Sequence, residues 1–177
     1  MGKLPKLVMD IDGIELLFHI HEFYPSSREN WDDEWAKISF RVTSGEWLNY
    51  IINYQEIMMM CEIEQLRDIL HKQLSNDLTE VYELECLEPD LTFRIIPLSD
   101  FRESSKTLSL KEDFEIIDID LQIDISFWNE GLTANKLTLS LDRNEIENLA
   151  CYLDVVTDCK VDAGKLDSLY QTGILRK

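Results

Sequence analysis

Basic residues are scarce in this chain. Its 17 Lys and Arg stand against 35 Asp and Glu, a formal charge of −18 over 177 residues. A surface this acidic repels nucleic-acid phosphate, and no Lys/Arg cluster offers a local exception, so direct DNA or RNA binding is not expected. Anionic membranes are disfavoured on the same ground. What the charge attracts is a basic protein partner, with encounter steered by the field at low salt. Cysteine is sparse too. Cys61, Cys86, Cys151 and Cys159 form neither a CxxC nor a close pair, which argues against a zinc knuckle or a redox dithiol and for buried free thiols in a reducing compartment. No run approaches the ~18 apolar residues of a membrane helix and no signal-peptide pattern follows Met1, so a cytoplasmic protein is expected. Nucleophile elbow, P-loop, GxGxxG and HExxH are all missing, and three histidines give little material for general-base chemistry. Nothing calls for a cofactor, and a non-enzymatic binding role is expected.

What is present is globular. Hydrophobic residues make up 45% of the chain, with only 6 Gly and 4 Pro, a composition that folds rather than stays disordered. From Ile117 to Phe127 every odd position is apolar while Asp118, Asp120, Gln122, Asp124 and Ser126 take the even ones. That period of two predicts a long strand over 114–128 with one buried and one wet face. Phe114 and Ile116 lie on the opposite parity, which calls for a bulge between Ile116 and Ile117.

Shorter alternating runs surround this strand. Leu7 to Ile11 and Ile14 to Ile20 flank Asp12-Gly13, a pair suited to a type I′ hairpin turn. Trp35 to Val42 and Trp47 to Gln55 flank Ser44-Gly45, with core packing expected for Trp35 and Trp47. Tyr82 to Cys86 and Leu91 to Ile95 flank Glu88-Pro89-Asp90. Leu137, Leu139 and Leu141 return from a loop over 129–135. Pro97 to Asp113 loses all periodicity and reads as the longest loop.

Apolar residues at spacings of three and four predict two helices. Ile63, Leu66, Leu70 and Leu74 form one stripe, preceded by Met58-Met59-Met60 as gap-filling core. Ile146, Leu149, Leu153 and Val156 form the other, opened by Asp142 and Glu145 in capping-box spacing. The two halves echo each other. Ile38-Ser39-Phe40 precedes a hairpin and a helix reading Ile63-Glu64-Gln65-Leu66; Ile125-Ser126-Phe127 precedes a hairpin and a helix reading Ile146-Glu147-Asn148-Leu149. The layout implied is one α+β domain over 1–156, a predominantly antiparallel curved β-sheet of about eight strands with two amphipathic helices on one side. Residues 157–177 read as a weakly structured C-terminal tail.

For function, Asp118, Asp120 and Asp124 share the wet face of the long strand, with Glu83 and Glu85 on a neighbouring one. This surface is the candidate partner-binding site. The same aspartates suggest a competing class, a carboxylate-based or metal-dependent hydrolase, although strand-borne carboxylates about 7 Å apart lack the tight loop and carbonyls of a calcium site. A third reading is a regulatory or scaffold module. His19 and His21, two apart on a strand, share a face and have the spacing of half a metal site; two strand-edge histidines are the simpler reading.

Beyond these patterns, several segments in order carry a family likeness. Phe23-Tyr24-Pro25, Asp32-Asp33-Glu34-Trp35 entering a strand, the Gly-turned hairpin, the leucine-spaced helix and Leu87-Glu88-Pro89-Asp90-Leu91-Thr92-Phe93 together resemble the WapI-like immunity proteins of bacterial contact-dependent and polymorphic toxin systems. The resemblance spans Leu7 to Val156, with Glu34 and Asp90 standing where the family pattern favours Asn. It implies a small cytosolic protein without catalytic residues that binds and neutralises a cognate toxin domain, often a nuclease.

Overall fold

Two antiparallel meanders, each running straight into a helix, account for most of the chain. The computed structural model describes residues 3–25, 34–97, 121–128 and 132–177. In the first half, β1 (Lys6–Ile11), β2 (Ile14–Ile20), β3 (Trp35–Ser44) and β4 (Leu48–Met59) pair with their sequence neighbours and lead into α1 (Met60–Leu74). The second half repeats this order with β5 (Tyr82–Glu85), β6 (Leu91–Ile95), β7 (Leu121–Trp128), β8 (Leu132–Leu141) and α2 (Arg143–Val156). The expected α+β, predominantly antiparallel architecture is therefore the one observed, but its strands divide between two sheets. One has the order β4-β3-β2-β1-β9, where β9 is Leu175–Arg176, and the other β5-β6-β7-β8.

Local chemistry explains the turns and helix starts. Asp12 and Gly13 take φ of 50° and 82°, the left-handed pair that a type I′ turn demands, and Asp10 accepts the Gly13 N–H at 2.8 Å. The two helices open alike. Glu62 reaches back to the Met59 N–H at 2.8 Å, and Glu145 reaches back to the Asp142 N–H at 2.8 Å. Ile63, Leu66 and Leu70 on α1 match Ile146, Leu149 and Leu153 on α2, and all six are buried. The echo in the sequence thus corresponds to a repeated order of strands and helix.

The helices are exchanged between the halves. α1 lies against β5 and β6: Glu62 accepts the Leu87 N–H at 2.7 Å, and Gln73 donates to the Ile96 carbonyl at 2.6 Å. α2 lies against β1 and β2: the fully buried Tyr152 accepts the Ile20 N–H at 2.8 Å and meets Phe18 edge-on at 6.1 Å. The helices pack on one another, with Arg143 donating to the Leu74 carbonyl. Leu7, Phe18 and Phe40 of one sheet, Phe93 of the other and Leu66 and Leu149 of the helices close around an apolar void of about 20 Å³. Both sheets and both helices share one core.

Several expectations change. The tail is not loose: Asp162 caps α3 (Ala163–Gln171) by accepting the Lys165 N–H at 2.9 Å, and β9 then pairs with β1. Leu169 and Leu175 are buried, and Val161, Leu166, Tyr170 and Ile174 pack partly buried beside them, so the segment docks on the shared core. Trp47 is 70% exposed rather than core, because it sits in the β3–β4 turn against Gly45 instead of on an inward strand position. Met58, Met59 and Met60 are buried as gap-fillers. All four cysteines are free, but Cys61 and Cys159 are exposed. The bulge expected at Ile116/Ile117 and the loop over Pro97–Asp113 lie, apart from Pro97 itself, outside the described residues.

Tyr152→Phe should cost about 1–3 kcal/mol by orphaning the buried Ile20 N–H. Glu62→Ala should cost roughly 2–4 kcal/mol because two backbone donors lose their acceptor together. Urea unfolding checks both, as a fall in midpoint at unchanged m-value.

Candidate functional site

The outer face of the second sheet is where the predicted acidic residues meet. Inward positions of β5 to β8 are Leu84, Phe93, Ile123 and Leu139, all buried, so the alternate positions form the wet face. Pairing places Glu85 opposite Thr92, Thr92 opposite Asp124 and Asp124 opposite Thr138, giving one row across four strands. The next row runs Glu83, Arg94, Gln122 and Ser140. Glu83, Arg94, Asp124, Lys136 and Thr138 line a hollow of about 670 Å³ on this face. Glu83, Glu85 and Asp124 are thus brought to one surface. Asp118 and Asp120 lie outside the described residues.

Cations interleave these acids. Lys136 forms an ion pair with Asp124, and Thr138 donates to the other carboxylate oxygen at 2.5 Å. Burial works against the Asp124 charge, yet the hydrogen bonds from Lys136 and Thr138, with the charges of Lys136 and Arg94, outweigh it and hold the carboxyl below its ordinary range. Asp124 is therefore a satisfied anion and not a proton donor poised near neutrality. Sequence reasoning passed over Arg94 and Lys136. Both occupy polar-parity positions in their strands, and cross-strand register would have placed Lys136 near Asp124.

Carboxylates crowd at a second place, where α2 begins beside the β1–β2 turn. Burial and then the neighbouring charges of Asp142, Asp12 and Asp10 raise the Glu145 carboxyl above its ordinary value, although its hydrogen bond with the Asp142 backbone pulls the other way. Sequence distance hides this cluster, since the turn and the helix are far apart in the chain.

The two candidate metal-spaced histidines do share a face. Their rings stand 4.0 Å apart, His21 shares a 2.8 Å hydrogen bond with Ser39 Oγ, and His21 meets the Tyr54 ring at 4.9 Å. His19 is not peripheral: β2 is an interior strand, and the residue is 3% exposed with its Nε2 lacking a hydrogen-bond partner among the described residues, whereas His21 follows the end of β2 and is partly buried. Burial, then His21, Lys6 and Lys3 lower the His19 pKa to about 4, while a hydrogen bond with the Leu4 backbone acts in the opposite sense. Among the described residues no group of three or more His, Cys, Asp or Glu is arranged to hold a metal ion. No helix among them is long and apolar enough to cross a membrane.

The chain belongs to the Immunity protein WapI-like family, whose model matches residues 6–158. Membership implies a toxin as partner and suggests a non-enzymatic, neutralising role. Comparison with curated proteins and with solved structures finds no match.

The His19 titration should be visible directly. By NMR its ring should titrate near 4 instead of the usual 6.5. The unfolded chain then binds a proton that the folded chain refuses, so stability is full above pH 6.5 and declines as pH falls through 4. His19→Gln should flatten that decline in acid unfolding.

Proposed function

We propose that this chain protects its cell from the cytoplasm by occluding a basic toxin domain, a nuclease carried at the C-terminus of a larger toxin protein. The observation that carries this reading is a formal charge of −18 on a member of an immunity family. A nuclease must hold polyanionic substrate, so its cleft is positive, and an acidic inhibitor competes electrostatically for the surface the phosphates use. Glu83 and Glu85, with Asp124 beside them and Asp118 and Asp120 preceding it on the same sequence parity, form the contact face in this reading. Asp124, already joined to Lys136, orders that face more than it attracts a partner. The two glutamates are exposed and form no ion pair among the described residues, which leaves their charge available for steering.

Stopped-flow association with a cognate toxin domain, identified by co-purification from the native host, tests the proposal. Binding should slow steeply with added salt, and Glu83→Lys combined with Glu85→Lys should reduce the association rate by about tenfold or more at low salt. Asp124→Asn should change it far less. An acidic partner domain, or association indifferent to salt and to both reversals, would overturn the reading.

A further inference from the structure

The register of the first sheet gathers positive charge at one place on its outer face. β9 and β1 set Arg176 opposite Lys6, and β2 and β3 set His19 opposite Ser39. Leu7 stands opposite Phe18, so the preceding residue, Lys6, falls beside His19. Paired residues project to the same face, and Arg176, Lys6, His19 and Ser39 therefore form one row across β9, β1, β2 and β3 with no carboxylate in it. In a chain of −18 that is an exception. Lys3 and Lys6 act on both His19 and His21 as neighbouring positive charges, and neither lysine forms an ion pair among the described residues. Of the acids around the row, Glu22 acts on His21, while Glu15 is held by Arg41 and Glu56 by Lys37.

His19 is the unsatisfied member of this cluster. It is 3% exposed, and its Nε2 has no hydrogen-bond partner among the described residues. Its bond with the Leu4 backbone favours the charged ring, so the imidazole N–H donates there and Nε2 carries the free lone pair. A buried acceptor without a donor is costly, and so is a group of cations without an anion. A metal cation would take the lone pair but be repelled by the lysines. The ligand that answers both needs brings negative charge for Lys3 and Lys6 together with an acidic O–H for Nε2.

We propose that the cluster of His19, Lys6 and Lys3 is a binding site for a phosphate that still carries a proton, either the free ion or the end group of a small phosphomonoester. The phosphate O–H donates to His19 Nε2, and its charged oxygens lie against the two ammonium groups. The His21 ring, 4.0 Å from that of His19 and only partly buried, turns aside to admit it. Sulfate and the phosphodiesters of nucleic acid carry the charge without the proton and fall outside the class. The site lies on the other sheet from the Glu83–Asp124 face, so it is independent of which toxin the chain binds.

NMR of the His19 ring on the intact chain tests it, at about pH 6, where a phosphomonoester is partly protonated, and with ionic strength held by sodium chloride. Inorganic phosphate should shift the His19 signals saturably, and sulfate should bind about tenfold more weakly or worse. Lys6→Gln should weaken phosphate binding about tenfold through the loss of one charge-assisted bond, with thermal unfolding in chloride unchanged. Glycerol phosphate separates the two sources: binding as tight as that of the free ion marks a phosphomonoester site, weaker binding marks a site for the free ion, and either supports the proposal. Signals that follow phosphate, sulfate and chloride alike at matched ionic strength would show screening only and overturn it. It falls equally if sulfate binds as tightly as phosphate, or if Lys6→Gln binds phosphate like the wild type.

Discussion

A single buried carboxylate stands at the joint of the molecule. Glu62 takes the Met59 N–H at the start of α1 with one oxygen and the Leu87 N–H with the other, so the end of the first sheet and the β5–β6 turn of the second are fixed to the same side chain. The geometry makes the helix exchange possible. α1 can leave its own meander and seal the other sheet because its first turn is already tied there, and α2 returns the exchange through Tyr152 and Ile20. Backbone donors buried at such a joint need acceptors, and both side chains supply them where no strand ladder reaches. Neither half covers its apolar sheet alone; each depends on a helix delivered by the other.

That interlock frees the outer faces from structural duty. The second sheet's outer face sets Glu83, Glu85 and Asp124 among Arg94, Lys136 and neutral polar residues, while the outer side of the first sheet holds the His19–His21 pair, with His19 buried, Tyr54 and the ion pairs Lys37–Glu56 and Arg41–Glu15. The chain's acidity is therefore not spread evenly. On the described part of the Glu83–Asp124 face it is partly neutralised by Arg94 and Lys136, whereas Asp10, Asp12, Asp142 and Glu145 press together where the first turn meets α2.

Much of this architecture was legible in the sequence, and the reasons differ by element. Alternating runs located β1 to β8, and i, i+3, i+4 stripes located α1 and α2, because those elements have one clear burial face. The bounds were less exact: β8 starts at Leu132, inside the expected 129–135 loop, and β4 continues past Gln55 to Met59. The echo between Ile63-Glu64-Gln65-Leu66 and Ile146-Glu147-Asn148-Leu149 anticipated the repeated order. Division into two sheets was not legible, since alternation reports a buried face and not which neighbouring strand lies beside it. β9 escaped notice because two residues carry no period, and Trp47 was misplaced because hydrophobicity alone does not distinguish a turn from a strand. At the site, parity placed Glu83, Glu85 and Asp124 together, but the pairing of Asp124 with Lys136 needed the cross-strand register.

The passage from β4 to α1 has no connecting loop. Met59 is the last residue of the strand, Met60 is the first of the helix, and the Met60 N–H is held by the Glu34 carbonyl at 2.7 Å. Without slack at that point, the edge strand cannot fray on its own. Peeling its C-terminal end from β3 would draw Ile63, Leu66 and Leu70 out of the shared core, so an outermost strand, ordinarily among the first parts of a sheet to open, is bound at that end to the cooperative unfolding of the whole.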